Sequence, residues 1–343
     1  MKDPTPFPSS LRRKGTKLPE PLQPGDLLRE RYIVQSIIGR GGMGSIYLAE
    51  DNRLPGRKCA LKEVQQDPSI SEELREQSRQ QFYREASVLA RLDYPNLPKV
   101  SDYFSADTRD YLVMDYVPGE DLKTLMDQAR RRGEQLPISD ILEWARQLLS
   151  ALAYLHRQDP PVIHRDIKPS NLKLTLDGLL KLVDFGLVKQ MAPDEVTVTV
   201  IQGRGTALYT PLEQYGGDTG HTDPRTDIYA FGATFYHLVT NQPPIEAKQR
   251  FLRPNALVPP SELNPSIPIT LEEVILWSMA LHPDDRPQKV DEIREVLEAG
   301  DMRVSKPAVR PEGLDRWLPT SLDRGLAIAA ALLTVVAFIA SLI

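Results

Sequence analysis

The sequence predicts an α+β fold in which a small strand-rich part precedes a larger helical part, with a membrane-spanning helix at the C-terminus. Runs of β-branched and aromatic residues fill the first third of residues 30–298, and helical periodicity dominates after Leu122. Strands followed by helices, rather than alternating with them, are typical of α+β proteins. The last 19 residues, 325–343, carry no charged side chain, which predicts a helix in lipid.

Most elements of the globular part can be placed individually. Five strands and one helix are predicted before Leu122. An Asp177-Gly178 turn between leucine-rich runs predicts a hairpin later in the chain. The predicted strands are 32–38, 45–50, 58–64, 100–104 and 111–116; the hairpin strands are 172–176 and 180–183; the helices are 71–92, 138–156, 226–240 and 271–281.

Composition and charge exclude several classes of protein. Hydrophobic residues make up 41% and charged residues 26% of the 343 residues, unlike a disordered or collagen-like chain. The 42 basic and 47 acidic residues give a net charge of −5, so no nucleic-acid partner is expected. The single cysteine, Cys59, excludes an internal disulfide, and five histidines leave few ligands for structural zinc.

Residues 1–30 are predicted to form an extended, proline-rich tail. Six prolines lie between residues 4 and 24 among few apolar side chains. Such a segment cannot bury enough apolar surface to offset the entropy lost on ordering. The basic cluster within residues 12–17 is interpreted as solvated linker charge, with contact to anionic lipid as the alternative. No apolar run follows these charges, so no secretory signal peptide is expected.

Residues 325–343 are predicted to cross the membrane once. A helix of 19 residues is roughly 28 Å long, close to the thickness of a hydrocarbon core. Basic residues between 303 and 324 predict that the globular part is cytoplasmic. A buried core helix is the alternative, although such a helix usually keeps a polar stripe. Gly325, Ala329 and Ala330 would allow two helices to pair in a homodimer. The chain stops at Ile343, so no sensor domain is expected beyond the helix unless the sequence is a fragment.

A glycine-rich segment follows the first predicted strand. Gly39, Gly41 and Gly44 have no Cβ, so their backbone amides can approach phosphate oxygens closely. A glycine hairpin turn is the alternative for this motif taken alone. A strand follows the motif rather than a helix, which argues against a dinucleotide-binding fold.

Lys62 and Glu85 are candidates for an ion pair. Lys62 lies in an apolar strand, where a buried ammonium group is costly unless an anion accompanies it. Ala60, two residues earlier on the same face, is small enough for a flat ring to stack there. Glu85 falls on the inward stripe of the helix predicted over 71–92, which favours pairing with Lys62. Exposed positions for both side chains are the alternative.

The main chemical signal lies between residues 162 and 186. His164-Arg165-Asp166 is followed by Asn171, then by the hairpin and by Asp184-Phe185-Gly186. The hairpin would bring Asp166, Asn171 and Asp184 together as a base and hard oxygen ligands, which suit Mg²⁺ and phosphate. For each acid alone, a turn or cap role is the alternative.

These motifs resemble, in identity and order, those of bacterial eukaryote-like (Hanks-type) serine/threonine protein kinases over about residues 32–297. The resemblance implies the bilobal protein-kinase fold. Residues 31–117 would be the N-lobe, a small antiparallel sheet with one helix, and residues 118–298 the larger helical C-lobe. A juxtamembrane linker would follow at 299–324.

The resemblance also implies catalytic roles for five residues, with ATP and Mg²⁺ as cofactors. Lys62 would hold the α- and β-phosphates of ATP and pair with Glu85. Asp166 would be the catalytic base, and Lys168 would stabilise the transferred phosphate. Asn171 would take part through the metal.

The metal and nucleotide ligands follow from the same resemblance. Asn171 and Asp184 would bind Mg²⁺. Met114 would lie behind adenine, and Asp115 to Val117 would form the hinge. The residues implied to bind ATP are Ile38, Gly39, Arg40, Gly41, Gly42, Met43, Gly44, Ser45, Ile46, Ala60, Lys62, Met114, Asp115 and Val117.

The segment before helix 226–240 bears on the substrate. Lys168 and Thr206 are similar to the serine/threonine branch of the family. The family's Ala-Pro-Glu is replaced by Pro211-Leu212-Glu213, and Glu213 is expected to pair with Arg286. This departure puts the preference among peptide substrates in question.

Phosphorylation of the activation segment is a separate hypothesis. Thr197, Thr199 and Thr206 lie in that segment, and Arg165 would meet a phosphate there. Simple β-propensity of Thr197 and Thr199 is the alternative.

The expected function is therefore that of a serine/threonine protein kinase in membrane-linked signalling, including autophosphorylation. It would be a single-pass protein of the cell membrane with a cytoplasmic catalytic domain. The alternatives are a pseudokinase scaffold, which binds nucleotide and partners without turnover, and a kinase of small molecules.

Overall fold

The fold is described from a computed structural model over residues 20–41, 44–65, 71–106, 109–185, 204–215 and 222–299. These residues form two compact units. The first unit comprises the described residues up to 91 together with 99–116. The second comprises 92–98 and the described residues from 117 onward.

The first unit is built on a six-stranded antiparallel sheet with the strand order β1-β2-β3-β4-β6-β5. All five strands predicted before Leu122 are confirmed. The two-residue strand β1, which pairs with the start of β2, was not predicted. The strands are β1 (Leu27–Leu28), β2 (Tyr32–Gly41), β3 (Gly44–Asp51), β4 (Lys58–Gln65), β5 (Val100–Ala106) and β6 (Arg109–Asp115).

One face of this sheet forms an apolar core. Tyr47, Leu61 and Val113 are fully buried on it. Phe104 stacks between Tyr32 and Tyr111, with ring centroids 5.8 and 5.2 Å away. Because side chains alternate between faces along a strand, the residues between these core positions belong to the opposite face.

The helix of the first unit, α1, spans Glu72–Leu89. The Ser71 hydroxyl caps it by accepting a hydrogen bond from the Leu74 backbone amide. The predicted inward stripe is confirmed, since Phe82, Ala86 and Leu89 are buried. The helix ends three residues before the predicted end at Leu92, where the chain has already turned into the second unit.

The second unit is mainly helical. Helix α5 is its centre, with every residue from Thr226 to Thr240 buried. It packs against α3 and α8. The helices are α2 (Leu122–Arg131), α3 (Ile138–His156), α4 (Arg204–Ala207), α5 (Pro224–Thr240), α6 (Ala247–Leu252), α7 (Pro260–Leu263), α8 (Ile269–Ser278) and α9 (Val290–Ala299).

The helix predicted over 271–281 is displaced toward the N-terminus. Helix α8 begins at Ile269 and ends at Ser278. The guanidinium group of Arg286 binds the backbone carbonyls of Ala280 and Leu281, at 2.8 and 2.9 Å. The Ala280 and Leu281 carbonyls therefore bond to the Arg286 side chain, and the helix does not extend to these two residues.

The predicted hairpin is confirmed with shorter strands, β8 (Leu172–Leu174) and β9 (Leu180–Leu182). Gly178 in the turn has φ of 82°, a conformation that favours glycine. The Thr175 hydroxyl accepts a hydrogen bond from the Leu179 amide at 3.0 Å and closes the turn. A third strand, β7 (Glu120–Asp121), pairs with β8.

Within the ranges given above, no helix is long and apolar enough to cross a membrane. The predicted membrane helix at 325–343 lies outside the described residues. So do nearly all of the linker predicted at 299–324 and residues 1–19 of the predicted tail.

Candidate active site

The glycine-rich segment forms the hairpin of β2 and β3. Gly41 pairs with Gly44 and Arg40 pairs with Ser45. Gly42 and Met43 lie outside the described residues. Strand continues on both sides of the glycines, which confirms that this segment does not open a helix as in a dinucleotide-binding fold.

Gly44 is required by its surroundings. Its φ is 149°, and a Cβ there would lie 2.3 Å from the backbone oxygen of Glu63. We expect Gly44→Ala to lower the free energy of unfolding of the first unit by about 2 kcal/mol, since strain and overpacking act together. Gly56→Ala is the matched control, because Gly56 also has a positive φ, 84°, but nothing lies within 4 Å of a Cβ there. Equal losses in urea denaturation for the two variants would contradict the expectation.

Four of the predicted nucleotide-binding residues lie on the sheet face opposite the apolar core. Ile46 of β3 pairs with Lys62 of β4. Ala60 of β4 pairs with Met114 of β6. Paired residues in an antiparallel sheet project to the same face, so these four side chains share it. Lys62 is half-buried, and Ala60 and Met114 are buried. The sheet thus places a cation and a small apolar surface together.

Glu85 lies half-buried on α1. Gln81, one turn earlier, donates a hydrogen bond of 2.8 Å to its carboxylate. The ion pair between Lys62 and Glu85 stays a prediction.

The predicted hinge spans the boundary of the two units. Asp115 ends β6, and its backbone amide donates to the Lys99 carbonyl at 3.0 Å. Its carboxylate binds Arg57 at 3.2 Å. Val117, the first residue of the second unit on that side, is buried. The adenine contacts implied for these residues stay predictions.

Asp166, Lys168 and Asn171 are brought together in the second unit. The Lys168 ammonium group lies 2.9 and 3.1 Å from the two carboxylate oxygens of Asp166. It also donates to the Thr206 hydroxyl at 3.2 Å. A 3-10 turn, Pro169–Asn171, folds the chain back so that the Asn171 amide nitrogen donates to the Asp166 carboxylate at 3.0 Å. The Asn171 amide oxygen is therefore the atom that a metal would use.

Asp227 of α5 anchors the chain immediately before Asp166. Its carboxylate, fully buried, accepts hydrogen bonds from the backbone amides of His164 and Arg165, at 2.9 and 2.8 Å. His156 Nε2 lies 2.9 Å from the same carboxylate. Arg165 has a left-handed φ of 66°, a strained value for a side chain of this size. The two hydrogen bonds to Asp227 hold this strained residue immediately before Asp166.

The ionisation of Asp227 should contribute to stability. Burial alone would raise the pKa of this carboxyl group, but the His156 hydrogen bond and the other donors lower it below its ordinary value. A lowered pKa stabilises the folded protein above about pH 3.9, the value of an unfolded aspartate. We expect Asp227→Asn to cost about 3 kcal/mol at pH 7, a difference that shrinks as the pH falls below 4. Urea denaturation from pH 7 to pH 3 tests this expectation, and a constant difference would contradict it.

Asp184 lies directly after the hairpin. The Val183 amide donates to the Asn171 carbonyl at 2.9 Å, so the chain that carries Asp184 is tied to Asn171. Asp184 also has a left-handed φ, 64°. Within the described ranges there is no cluster of three or more His, Cys, Asp or Glu that could hold a metal. The predicted site is of another kind, a carboxylate and an amide oxygen, which are hard ligands that suit Mg²⁺ when phosphate oxygens complete the shell.

The predicted pair of Glu213 and Arg286 is confirmed. Their side chains form two hydrogen bonds, of 2.6 and 3.0 Å, and both are buried. Arg286 also donates to the Arg225 carbonyl at 3.0 Å, which joins the pair to the first turn of α5. Pro211 and Leu212 precede Glu213 at the start of a 3-10 turn, Leu212–Gln214.

Residues 206–215, which we call the substrate shelf because the kinase resemblance predicts that this segment bears on the substrate, contain two contacts that the sequence did not predict. The Tyr209 hydroxyl lies 2.6 Å from His237 Nδ1. Burial and nearby Lys123 lower the pKa of His237 to about 4, so this imidazole is neutral at pH 7. Tyr215 donates to the Ala207 carbonyl at 3.2 Å.

Of the three threonines proposed as phosphorylation sites, Thr197 and Thr199 lie outside the described residues.

Residues 32–295 match the protein kinase domain family, and the chain belongs to that family. Among relatives it is similar to the serine/threonine-protein kinase PknB of Mycobacterium leprae, with 32% identity over 284 residues. It is also similar to the DNA damage-responsive serine/threonine-protein kinase RqkA of Deinococcus radiodurans, with 33% identity over 281 residues. These matches cover 79% and 78% of this chain but 43% and 39% of the relatives, so the chain spans less than half of their length.

Solved structures agree with this assignment. The kinase domain of Mycobacterium tuberculosis PknI is 28% identical, with a TM-score of 0.60 and coverage of 82% of this chain and all of that one. The apo form of PpkA-294 is 28% identical, with a TM-score of 0.63 and coverage of 80% and 99%. The bilobal kinase fold predicted from the motifs is thereby confirmed, and the domain is of the bacterial Hanks type.

Proposed function

We propose that this chain is a serine/threonine protein kinase that transfers the γ-phosphoryl group of ATP to protein hydroxyl groups, including its own. One observation carries the proposal: Lys168 joins the Asp166 carboxylate to the Thr206 hydroxyl, with the Asn171 amide on the same carboxylate. A carboxylate, a cation and an amide are thus grouped beside Thr206, and we propose that they act as base, charge stabiliser and metal ligand. The names of the relatives support the same activity.

In the first unit, the proposed task is to bind the nucleotide. The backbone amides of the β2–β3 hairpin would contact phosphate oxygens, and Lys62 would bind the α- and β-phosphates. Ala60 and Met114 would line the adenine site, since both are apolar and lie on the Lys62 face of the sheet.

In the second unit, the proposed task is phosphoryl transfer. Mg²⁺, when bound, would neutralise the negative charge on the phosphate oxygens. Asn171 and Asp184 would hold it through their amide and carboxylate oxygens. Asp166 would orient the incoming hydroxyl group and accept its proton. The Lys168 ammonium group, within 3.2 Å of both Asp166 and Thr206, would stabilise the negative charge of the transferred group.

The contacts that hold the shelf support a protein as the substrate, rather than a small molecule. The buried Glu213–Arg286 pair fixes the C-terminal end of the shelf, and Tyr209 contacts His237 of α5. A fixed segment beside Asp166 would give a polypeptide substrate a surface to bind. A kinase of small molecules has no need for such a surface.

The direct test is transfer of γ-labelled phosphate from ATP by the full chain to a generic basic protein, with Mg²⁺ present. We expect label on serine and threonine after acid hydrolysis, and loss of label when Mg²⁺ is chelated. The Asp166→Asn variant is the control for contaminating kinases. Nucleotide binding without transfer would instead identify a pseudokinase scaffold.

Membrane anchoring through residues 325–343 is part of the proposal. It is supported by the absence of charge over 19 residues and by the basic residues between 303 and 324, which favour a cytoplasmic catalytic domain. In bacterial cells, the full chain should stay in the membrane pellet after alkaline washing, and a chain ending at Arg324 should not. Recovery of both chains in the supernatant would refute the anchor. Pairing of two such helices stays a prediction.

A further inference from the structure

Tyr215 supports the substrate shelf from its C-terminal end. Its hydroxyl group donates to the carbonyl of Ala207, which also accepts the Thr210 amide at 3.3 Å. Burial, with Glu246 nearby, raises the pKa of Tyr215 to about 12, so the hydroxyl keeps its proton and remains a donor. Tyr215 therefore closes the shelf across eight residues of chain.

Lys248 holds the Tyr215 ring in place. Its ammonium group lies 3.9 Å from the ring centroid, within the range of a cation–π contact. Helix α6, which carries Lys248, is itself fixed. Its Ala247 and Arg250 are buried, and Arg250 donates to the Met279 carbonyl at 2.7 Å. The exposed Lys248 side chain thus contacts the ring from a helix whose neighbouring residues are buried.

The contact made by Tyr215 leads directly to the catalytic groups. Ala207 follows Thr206, whose carbonyl accepts the Tyr209 amide at 3.0 Å and the Thr210 hydroxyl at 2.9 Å. The Thr206 hydroxyl is bound by Lys168, which is bound to Asp166. A shift of the Ala207 carbonyl therefore moves the shelf relative to the base.

We propose that Tyr215, braced by Lys248, is a positioning residue that sets the affinity of this kinase for its protein substrate. This inference rests on the proposed kinase function. Among the described residues, the contacts of this brace join Lys248 to the Tyr215 ring and the Tyr215 hydroxyl to the Ala207 carbonyl, all within the second unit. Loss of the brace should therefore weaken binding of the protein substrate and leave binding of ATP unchanged.

The test compares steady-state kinetics of full-chain variants with a protein substrate. Tyr215→Phe keeps the ring but removes the hydroxyl, and we expect KM for the protein to rise about fivefold, with KM for ATP unchanged. Lys248→Met should raise the same KM about threefold, and Lys248→Arg, which keeps the cation, should restore it. Tyr236→Phe is the matched control, because the Tyr236 hydroxyl donates to the Val258 carbonyl at 2.9 Å, away from the shelf.

Each outcome is decisive. A rise in KM for the protein alone, absent in Tyr236→Phe, supports the inference. An unchanged KM, or equal losses for ATP and protein that follow a lower melting temperature, overturns it while the kinase function stands. If the wild-type chain transfers no phosphate, the proposed function fails and this inference fails with it.

Discussion

Asp166→Asn is expected to lower kcat for phosphoryl transfer by about 10²–10⁴-fold. The amide cannot accept the proton of the substrate hydroxyl, and it also loses the charge that binds Lys168 at 2.9 Å. The nucleotide contacts proposed for the first unit do not involve Asp166, so the affinity for ATP should change little. Single-turnover transfer of label and equilibrium binding of a fluorescent ATP analogue measure the two quantities.

The control for this substitution is Asp177→Asn. Asp177 is an exposed carboxylate in the hairpin turn of the same unit, and the change in charge is identical. Transfer by this variant should equal that of the wild type. Phosphoryl transfer by Asp166→Asn at the wild-type rate would show that Asp166 is not the catalytic base.

The second large effect is expected in stability. Arg286→Met should lower the free energy of unfolding of the second unit by about 3–5 kcal/mol, because it leaves the Glu213 carboxylate buried without its cation. The carbonyls of Ala280, Leu281 and Arg225 lose their donor in the same step. Chemical denaturation followed by tryptophan fluorescence measures the loss.

Arg294→Met is the matched variant. Arg294 is 36% exposed on α9 and pairs with Asp291 at 3.4 Å, so its removal should cost at most about 1 kcal/mol. Adding Glu213→Gln to Arg286→Met should recover part of the stability, since the unpaired charge disappears. Equal losses for the two arginine variants would show that burial of the Glu213–Arg286 pair is energetically unimportant.

Local patterns in the sequence predicted most of the fold. Helix α3 begins and ends at the predicted residues, Ile138 and His156, because its apolar periodicity is uninterrupted. The Asp177-Gly178 turn predicted the hairpin, since its backbone conformation depends on the turn residues themselves. Strand β1 was missed because two residues carry no periodic signal, and its formation depends on pairing with β2.

Contacts between distant residues were harder to predict. Asp166, Lys168 and Asn171 lie within six residues, and the motif was enough to group them. The resemblance to kinases also gave Glu213–Arg286. His156, which meets Asp227 across 71 residues, was not singled out, and neither were His237 and Tyr215. A single histidine or tyrosine belongs to no sequence pattern, so its partner in the folded protein cannot be predicted from its position in the chain.

The bonds that join Asp166, Lys168 and Asn171 also bear on how such a chain can diverge. These three side chains contact one another over one 3-10 turn, and the Asp227 carboxylate holds the two backbone amides that precede Asp166. The shelf is held by other residues, among them Arg286, His237 and Lys248. On the proposed function, we expect substitutions in the shelf and its supports to change the choice of protein substrate more than the transfer chemistry. The replacement of the family's Ala-Pro-Glu by Pro211-Leu212-Glu213, with the Glu213 bond to Arg286 intact, falls within this shelf.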